Sequence, residues 1–222
     1  IGKTASKAAP KLCKLLKDEE VTVRKEAVIS LGSMGKPGAE GISSLVSALG
    51  DSKEEVRAEA ANARGRIGAD AYTCIPELMK TLKDTSWMVR TAAAKAIVGV
   101  GEGASKAIPT LMTALEDKDW RVRYRAATAL SRIGKEAVPT LLKALEHGSA
   151  VLRRGAVEAL GEMKLGEPKI IEHLFAALRD RDEAVRGKAA DALRSIRKAA
   201  VPALIKSLKD PSENVRRASV GA

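Results

Sequence analysis

Few side chains among these 222 residues could carry chemistry, and their spacing narrows what that chemistry is. The two histidines occur as Glu146-His147 and Glu172-His173. A metal site needs more ligands than such a pair supplies, and no cofactor is called for. Cys13 and Cys74 have no nearby His to serve as a base. They read as reduced, buried, small hydrophobes rather than as a disulfide framework. Gly99-Val-Gly-Glu-Gly103 has the glycines of a phosphate cradle but reads as the end of a helix. What remains is an aromatic and basic group: Trp87, Trp120 and Tyr124 with Arg121, Arg125, Arg132 and Arg154, accompanied by Met88, Thr91 and Lys95. Trp, Tyr and Arg are the residues enriched at binding hot spots. The chemistry on offer is non-covalent recognition.

The elements that position this group follow from an internal repeat. A Val-Arg pair recurs at Val23-Arg24, Val56-Arg57, Val89-Arg90, Val122-Arg123, Val185-Arg186 and Val215-Arg216, with Leu152-Arg153 in the one gap. The Arg spacings are 33, 33, 33, 30, 33 and 30. A second series is Pro10, Pro76, Pro109, Pro139 and Pro202, with Ser43 and Glu172 in the equivalent slots. A third is Asp18, Asp51, Asp84, Asp117, Asp180 and Asp210, with His147 as its single departure. Three series in one register do not arise by chance.

Each unit reads as two helices. The first starts near the Pro, whose missing N–H is no loss in a first turn. Pro109 to Leu115 and Pro139 to Leu145 space their apolar residues for one helical face. The second helix follows the recurrent Asp. Asp51 with Glu54, Asp180 with Glu183 and Asp210 with Glu213 have the spacing of N-cap arrangements. Gly35, Gly68, Gly101 and Gly134 stand where a C-cap glycine would end it. The Ala pairs 60–61, 93–94, 126–127 and 189–190 would let neighbouring helices approach closely.

This pattern resembles HEAT repeats, and within them the short variety noted in phycobilisome lyases. The shared motif is roughly Asp…Val-Arg-x-x-Ala-Ala-x-Ala-Leu-Gly-x-Ile-Gly followed by Ile-Pro-x-Leu, and it runs over nearly the whole chain. The resemblance implies an all-α fold, a right-handed α-solenoid of about six to seven two-helix repeats whose second helices line a concave face. The repeat units fall at approximately 1–35, 36–68, 69–101, 102–134, 135–164, 165–197 and 198–222, the last partial, in one solenoid over 1–222. In the family it resembles, the recurrent Asp and Arg form a ladder of hydrogen-bonded ion pairs between repeats. Those seven Arg are therefore not counted as a nucleic-acid patch.

Function in a solenoid usually sits where repeats differ on the concave face. In the family pattern that face takes the two residues before Val-Arg, the two after it, and those five and nine beyond the Arg. Trp87 and Trp120 then hold the same repeat position, and Tyr124 lies one turn beyond Trp120. Met88, Thr91, Ala92 and Lys95 belong to the unit of Arg90, and Arg154 and Gly155 to that of Arg153. Glu54, Glu55 and Glu59 form an acidic flank. The reading is a protein-interaction scaffold that binds a protein or peptide in a central aromatic and basic groove. The alternative is nucleic-acid binding through the same groove. The competing structural account packs both Trp between repeats.

Enzymes of this fold fit less well. The di-iron hydroxylases place His-Glu pairs on second helices, and neither histidine here falls in that slot. Bilin lyases share the repeat, but nothing beyond the repeat marks a bilin pocket. The DNA glycosylases of similar fold need a catalytic Asp near their aromatics, and Asp191 lies two repeats from Tyr124.

The net charge of +11 is spread along the chain: residues 1–83 carry 14 basic and 11 acidic side chains, 84–147 carry 10 and 7, and 148–222 carry 15 and 10. It distinguishes partner classes weakly. No apolar run is long enough for a transmembrane helix, and no signal peptide is visible. A cytoplasmic setting is the expectation, with the protein a monomer or self-associating end to end through apolar end faces.

Overall fold

The computed structural model describes residues 8–35, 38–68, 74–100 and 103–221. Among these there is no strand. Fourteen α-helices follow one another: α1 (Ala9–Leu15), α2 (Val21–Ser33), α3 (Gly38–Ala48), α4 (Glu54–Ile67), α5 (Ile75–Thr81), α6 (Trp87–Val100), α7 (Ile108–Ala114), α8 (Trp120–Ile133), α9 (Val138–His147), α10 (Ala150–Met163), α11 (Pro168–Ala177), α12 (Glu183–Ser195), α13 (Arg197–Ser207) and α14 (Glu213–Gly221). Short 3₁₀ turns at Ala104–Ala107 and Lys135–Ala137 lead into α7 and α9. The odd- and even-numbered helices are the first and second members of successive pairs, as the repeat requires. The fold is an all-α solenoid of HEAT-type pairs. No helix among the described residues is long and apolar enough to cross a membrane.

The helices form two compact units, divided between Ala129 and Leu130. In the first, α4 packs between α2 and α6. Small residues make this close approach feasible. A Cβ on Gly32 would stand 2.6 Å from the Ala63 Cβ, and one on Gly65 would stand 2.8 Å from the Ala96 Cα. Larger side chains there would overpack the seam, at about 1–3 kcal/mol each. Ala60, Ala61, Ala93, Ala94, Ala126 and Ala127 are fully buried. Leu31, Leu45, Leu78, Ile97 and Leu111 fill the layer between first and second helices; each contributes about 1.5–3 kcal/mol by leaving water. In the second unit α12 packs on α10, and Gly161 meets Ala192 in the same way. There Ala189 is buried while Ala190 is partly exposed.

Four of the seven recurrent Arg form rungs of the ladder with a recurrent Asp among the described residues. Arg24 donates from Nε and Nη2 to both carboxylate oxygens of Asp51, at 2.7 and 2.9 Å. Arg57 does the same to Asp84, Arg90 to Asp117 and Arg153 to Asp180, every bond between 2.6 and 2.9 Å. The third nitrogen closes the Arg's own loop. Arg90 Nη1, for example, donates to the Asp84 and Thr85 carbonyls at 2.8 and 3.0 Å. Arg123, Arg186 and Arg216 make the same pair of carbonyl bonds. The last repeat is wired differently, since Asp210 takes its hydrogen bond from Arg179.

Several expectations about helix ends are corrected. Asp51, Asp180 and Asp210 are not N-caps: each accepts the amide of the residue two places on, and the helices begin at the Glu itself. Their carboxylates are drawn toward an Arg of the preceding repeat, which leaves them short of the helix axis. Asp182 and Ser149 cap α12 and α10 instead, accepting from the Val185 and Leu152 amides. Pro202 does not open a helix; it lies inside α13, because that helix starts at Arg197, directly after α12. Pro168 takes the first-turn place in α11. Gly35, Gly68 and Gly134 hold the positive φ values (71°, 75° and 86°) expected after second helices; Gly101 lies outside the described residues.

Candidate functional site

The recurrent arginine also sets up the surface group. Trp87 and Trp120 are the first residues of α6 and α8. Each stands directly after a loop that the following Arg ties down, Arg90 to the Asp84 and Thr85 carbonyls and Arg123 to those of Asp117 and Lys118. Both indoles are thus presented from fixed loop ends. Trp87 is 36% exposed and Trp120 64% exposed. Trp120 is therefore not packed between repeats, as the structural account required.

Arg121 joins the two. Its Cζ lies 3.5 Å from the centre of the Trp87 ring and 5.9 Å from that of Trp120. A guanidinium over an indole face is held by the negative ring face. Its other side is fixed by Asp119, with Nε to Oδ1 and Nη2 to Oδ2 both at 3.0 Å. The Arg121 amide donates to Oδ1 as well, at 2.9 Å. The hydrogen bond from Arg121 outweighs partial burial and holds the Asp119 carboxyl below its usual range; Arg121 is raised in return. Both stay ionised at neutral pH. Asp119 was not singled out from the sequence. Its signal is an acid two residues before an arginine at a helix start, which alone does not separate a local clamp from a solvated pair.

One turn along α8, Tyr124 is 42% exposed and Arg125 lies over its ring at 5.5 Å. On α6, Met88 and Thr91 are half-buried and Lys95 is exposed. The Thr91 hydroxyl oxygen is buried without a hydrogen-bond partner among the described residues. Neither Lys95 nor Arg125 has an ion-pair partner among them. These eight residues all belong to the first unit. Arg132, exposed, and Arg154, half-buried, belong to the second. Ala92 and Gly155, expected on the exposed face, are buried; they carry too little side chain to project past neighbouring turns.

Elsewhere several second-helix side chains are paired with one another. Glu59 of the acidic flank is bonded to Arg66 at 2.7 Å. In the second unit Lys188 meets Glu158 at 3.0 Å and Arg194 meets Asp191 at 2.6 Å. His147 is exposed beside Glu146. His173 places Nδ1 2.8 Å from the Lys169 carbonyl and Nε2 3.1 Å from Glu146. Among the described residues no three His, Cys, Asp or Glu side chains are grouped to hold a metal ion. Cys13 and Cys74 are buried and form no disulfide among the described residues. Burial pushes the Cys74 thiol up, with nearby Arg64 pulling the other way. Arg64 itself is wholly buried, with its guanidinium against the Cys74 thiol.

Three overlapping segments, 42–106, 75–159 and 138–222, match the family model for HEAT repeats. The chain belongs to the HEAT repeat family. Solved structures similar to it are helical-repeat proteins. An engineered protein is 24% identical, with a TM-score of 0.55 over 86% of this chain and 98% of its own. A designed armadillo repeat protein, solved with the peptide (KR)4, is 22% identical, with a TM-score of 0.54 over 85% and 99%. YibA of Escherichia coli is 22% identical, with a TM-score of 0.51 over 100% and 87%. These likenesses speak to the HEAT fold alone. A comparison with curated proteins finds no match.

Proposed function

We propose that this HEAT repeat protein is a non-catalytic scaffold. It would hold a protein partner, as a peptide, a helix or a domain, against the surface around Trp87, Trp120 and Tyr124. The observation that carries this reading is the exposed indole of Trp120, 64% in solvent at the end of a loop tied down by Arg123. A rigid aromatic left in water has surface to bury and little side-chain freedom to lose on binding. A buried Trp anchor is commonly worth about 2 kcal/mol or more.

The repeat family supports a scaffold, and the peptide seen with one designed armadillo neighbour supports a partner of that size. The net charge, with Lys95 and Arg125 lacking an ion-pair partner among the described residues, favours nucleic acid as a second reading. Against it, the Arg121 guanidinium is already engaged by Asp119 and Trp87.

Intrinsic Trp fluorescence during titration with single-stranded and duplex DNA, at low and physiological salt, separates the two. The scaffold reading expects no saturable change at either salt. Saturable quenching that collapses as salt rises is the signature of counterion release from phosphates, and would put nucleic acid first.

A further inference from the structure

The first helices of the first unit carry a feature independent of the tryptophans. Between α5 and α7 runs an open groove of about 530 Å³. Its floor is Ile75, Pro76 and Met79, and its rim is Lys80, Lys83 and Lys106. The three lysines are exposed. None has an ion-pair partner among the described residues, and no carboxylate lines the groove.

The full set of three lysines is not a property of the repeat. One unit further on, the slots of Lys80 and Lys83 hold Thr113 and Glu116. Lys106 stands three residues before Pro109, and Glu136 stands three before Pro139. The apolar slots keep their character, with Ile108, Pro109 and Met112 answering to Ile75, Pro76 and Met79. Lys14 and Lys17 repeat the pair in the first unit and Lys206 and Lys209 in the last, but the slot that answers to Lys106 beside the first pair holds Glu40, so the combination of three lysines sets this groove apart while its floor is generic to the fold.

We propose that the groove docks an acidic peptide segment bearing an aliphatic side chain. The lysines are compact, mobile point charges that suit carboxylates spaced along an extended chain. The floor takes a Leu-like side chain out of water. It offers no aromatic ring on which a base could stack, so a nucleic acid strand would gain phosphate contacts only. The groove lies on first helices, whereas Trp87 and Trp120 begin second helices, so the two surfaces act separately.

The test is fluorescence anisotropy of a short fluorescein-labelled peptide of Glu and Leu residues, titrated with the full chain at low salt. The proposal expects saturable binding. Binding should weaken on the order of tenfold in the Lys80→Glu/Lys83→Glu/Lys106→Glu variant, whose exposed positions leave the helical circular dichroism unchanged. It should also weaken when Gln replaces Glu or when Leu is omitted from the peptide, and persist in Trp120→Ala. The proposal is overturned by equal binding to the triple variant, or by no binding at low salt. It is equally overturned by loss of binding in Trp120→Ala, which would move the peptide to the other surface. Lysine-dependent binding of single-stranded DNA in place of the peptide would assign the groove to nucleic acid.

Discussion

Arg90 and Arg121 lie in neighbouring second helices, and each grips an aspartate with two nitrogens, yet they do different work. Arg90 has a side chain only 6% exposed; it reaches Asp117 27 residues away and also ties down its own loop. Arg121 has a side chain 42% exposed; it reaches Asp119 two residues away and lies on Trp87. The first pair joins repeats. The second organises an open surface. Sequence separation and burial, not residue type, decide which role the same guanidinium–carboxylate bond plays.

The sharpest way to break the comparison is Arg90→Ala. It leaves two loop carbonyls without their donor and Asp117 with the Asp119 amide but no guanidinium, in partly screened surroundings, and should cost about 2–3 kcal/mol in a urea denaturation. A loss within the error of the fit would mean that the rungs are ornamental. Trp120→Ala should do the reverse. Its stability should stay within about 0.5 kcal/mol of wild type, while affinity for a selected peptide falls by about 2 kcal/mol, roughly thirtyfold.

Acid should act on the rungs. The hydrogen bond from Arg24 holds the Asp51 carboxyl below its usual range, against the pull of burial. For Asp84 and Asp180 burial pushes up, and the Arg and backbone hydrogen bonds outweigh it. Carboxyls depressed in the folded state contribute stability that is full above the ordinary carboxylate range and lost as pH falls through the folded values. The urea midpoint should therefore be flat from neutral pH to about 5 and drop below about 4. A midpoint insensitive to acid would contradict the ladder's share in stability. The smallest effect is expected of Asp119→Asn. It should leave folding intact and shift Trp87 emission as Arg121 loses its anchor; an unchanged spectrum would mean that the stack does not need Asp119.

Much of the fold was legible because it is repeated. Arg24, Arg57 and Arg90 recur at 33 residues and each reaches an aspartate 27 residues on, so one rung implies the next. The regularity ends where the repeat shortens. At the second 30-residue spacing, Asp210 turns to Arg179, and α13 begins before Pro202. The aromatic residues were legible as departures from the repeat. Their clamp was not, because Asp119 looks like any acid in a polar loop. The lysine groove was not legible for a related reason: Lys80 lies on α5, Lys83 in the turn after it and Lys106 in the 3₁₀ turn before α7, so no single helix displays the cluster.

The central claim is that the Trp87 and Trp120 surface binds and does not merely pack. The most direct measurement is selection of a displayed peptide library in parallel on the wild-type chain and on Trp87→Ala/Trp120→Ala, with circular dichroism and thermal melting of both. The account predicts a variant that melts close to wild type and loses the peptides the wild type enriches. A variant that is unfolded, or that enriches the same peptides, would contradict it.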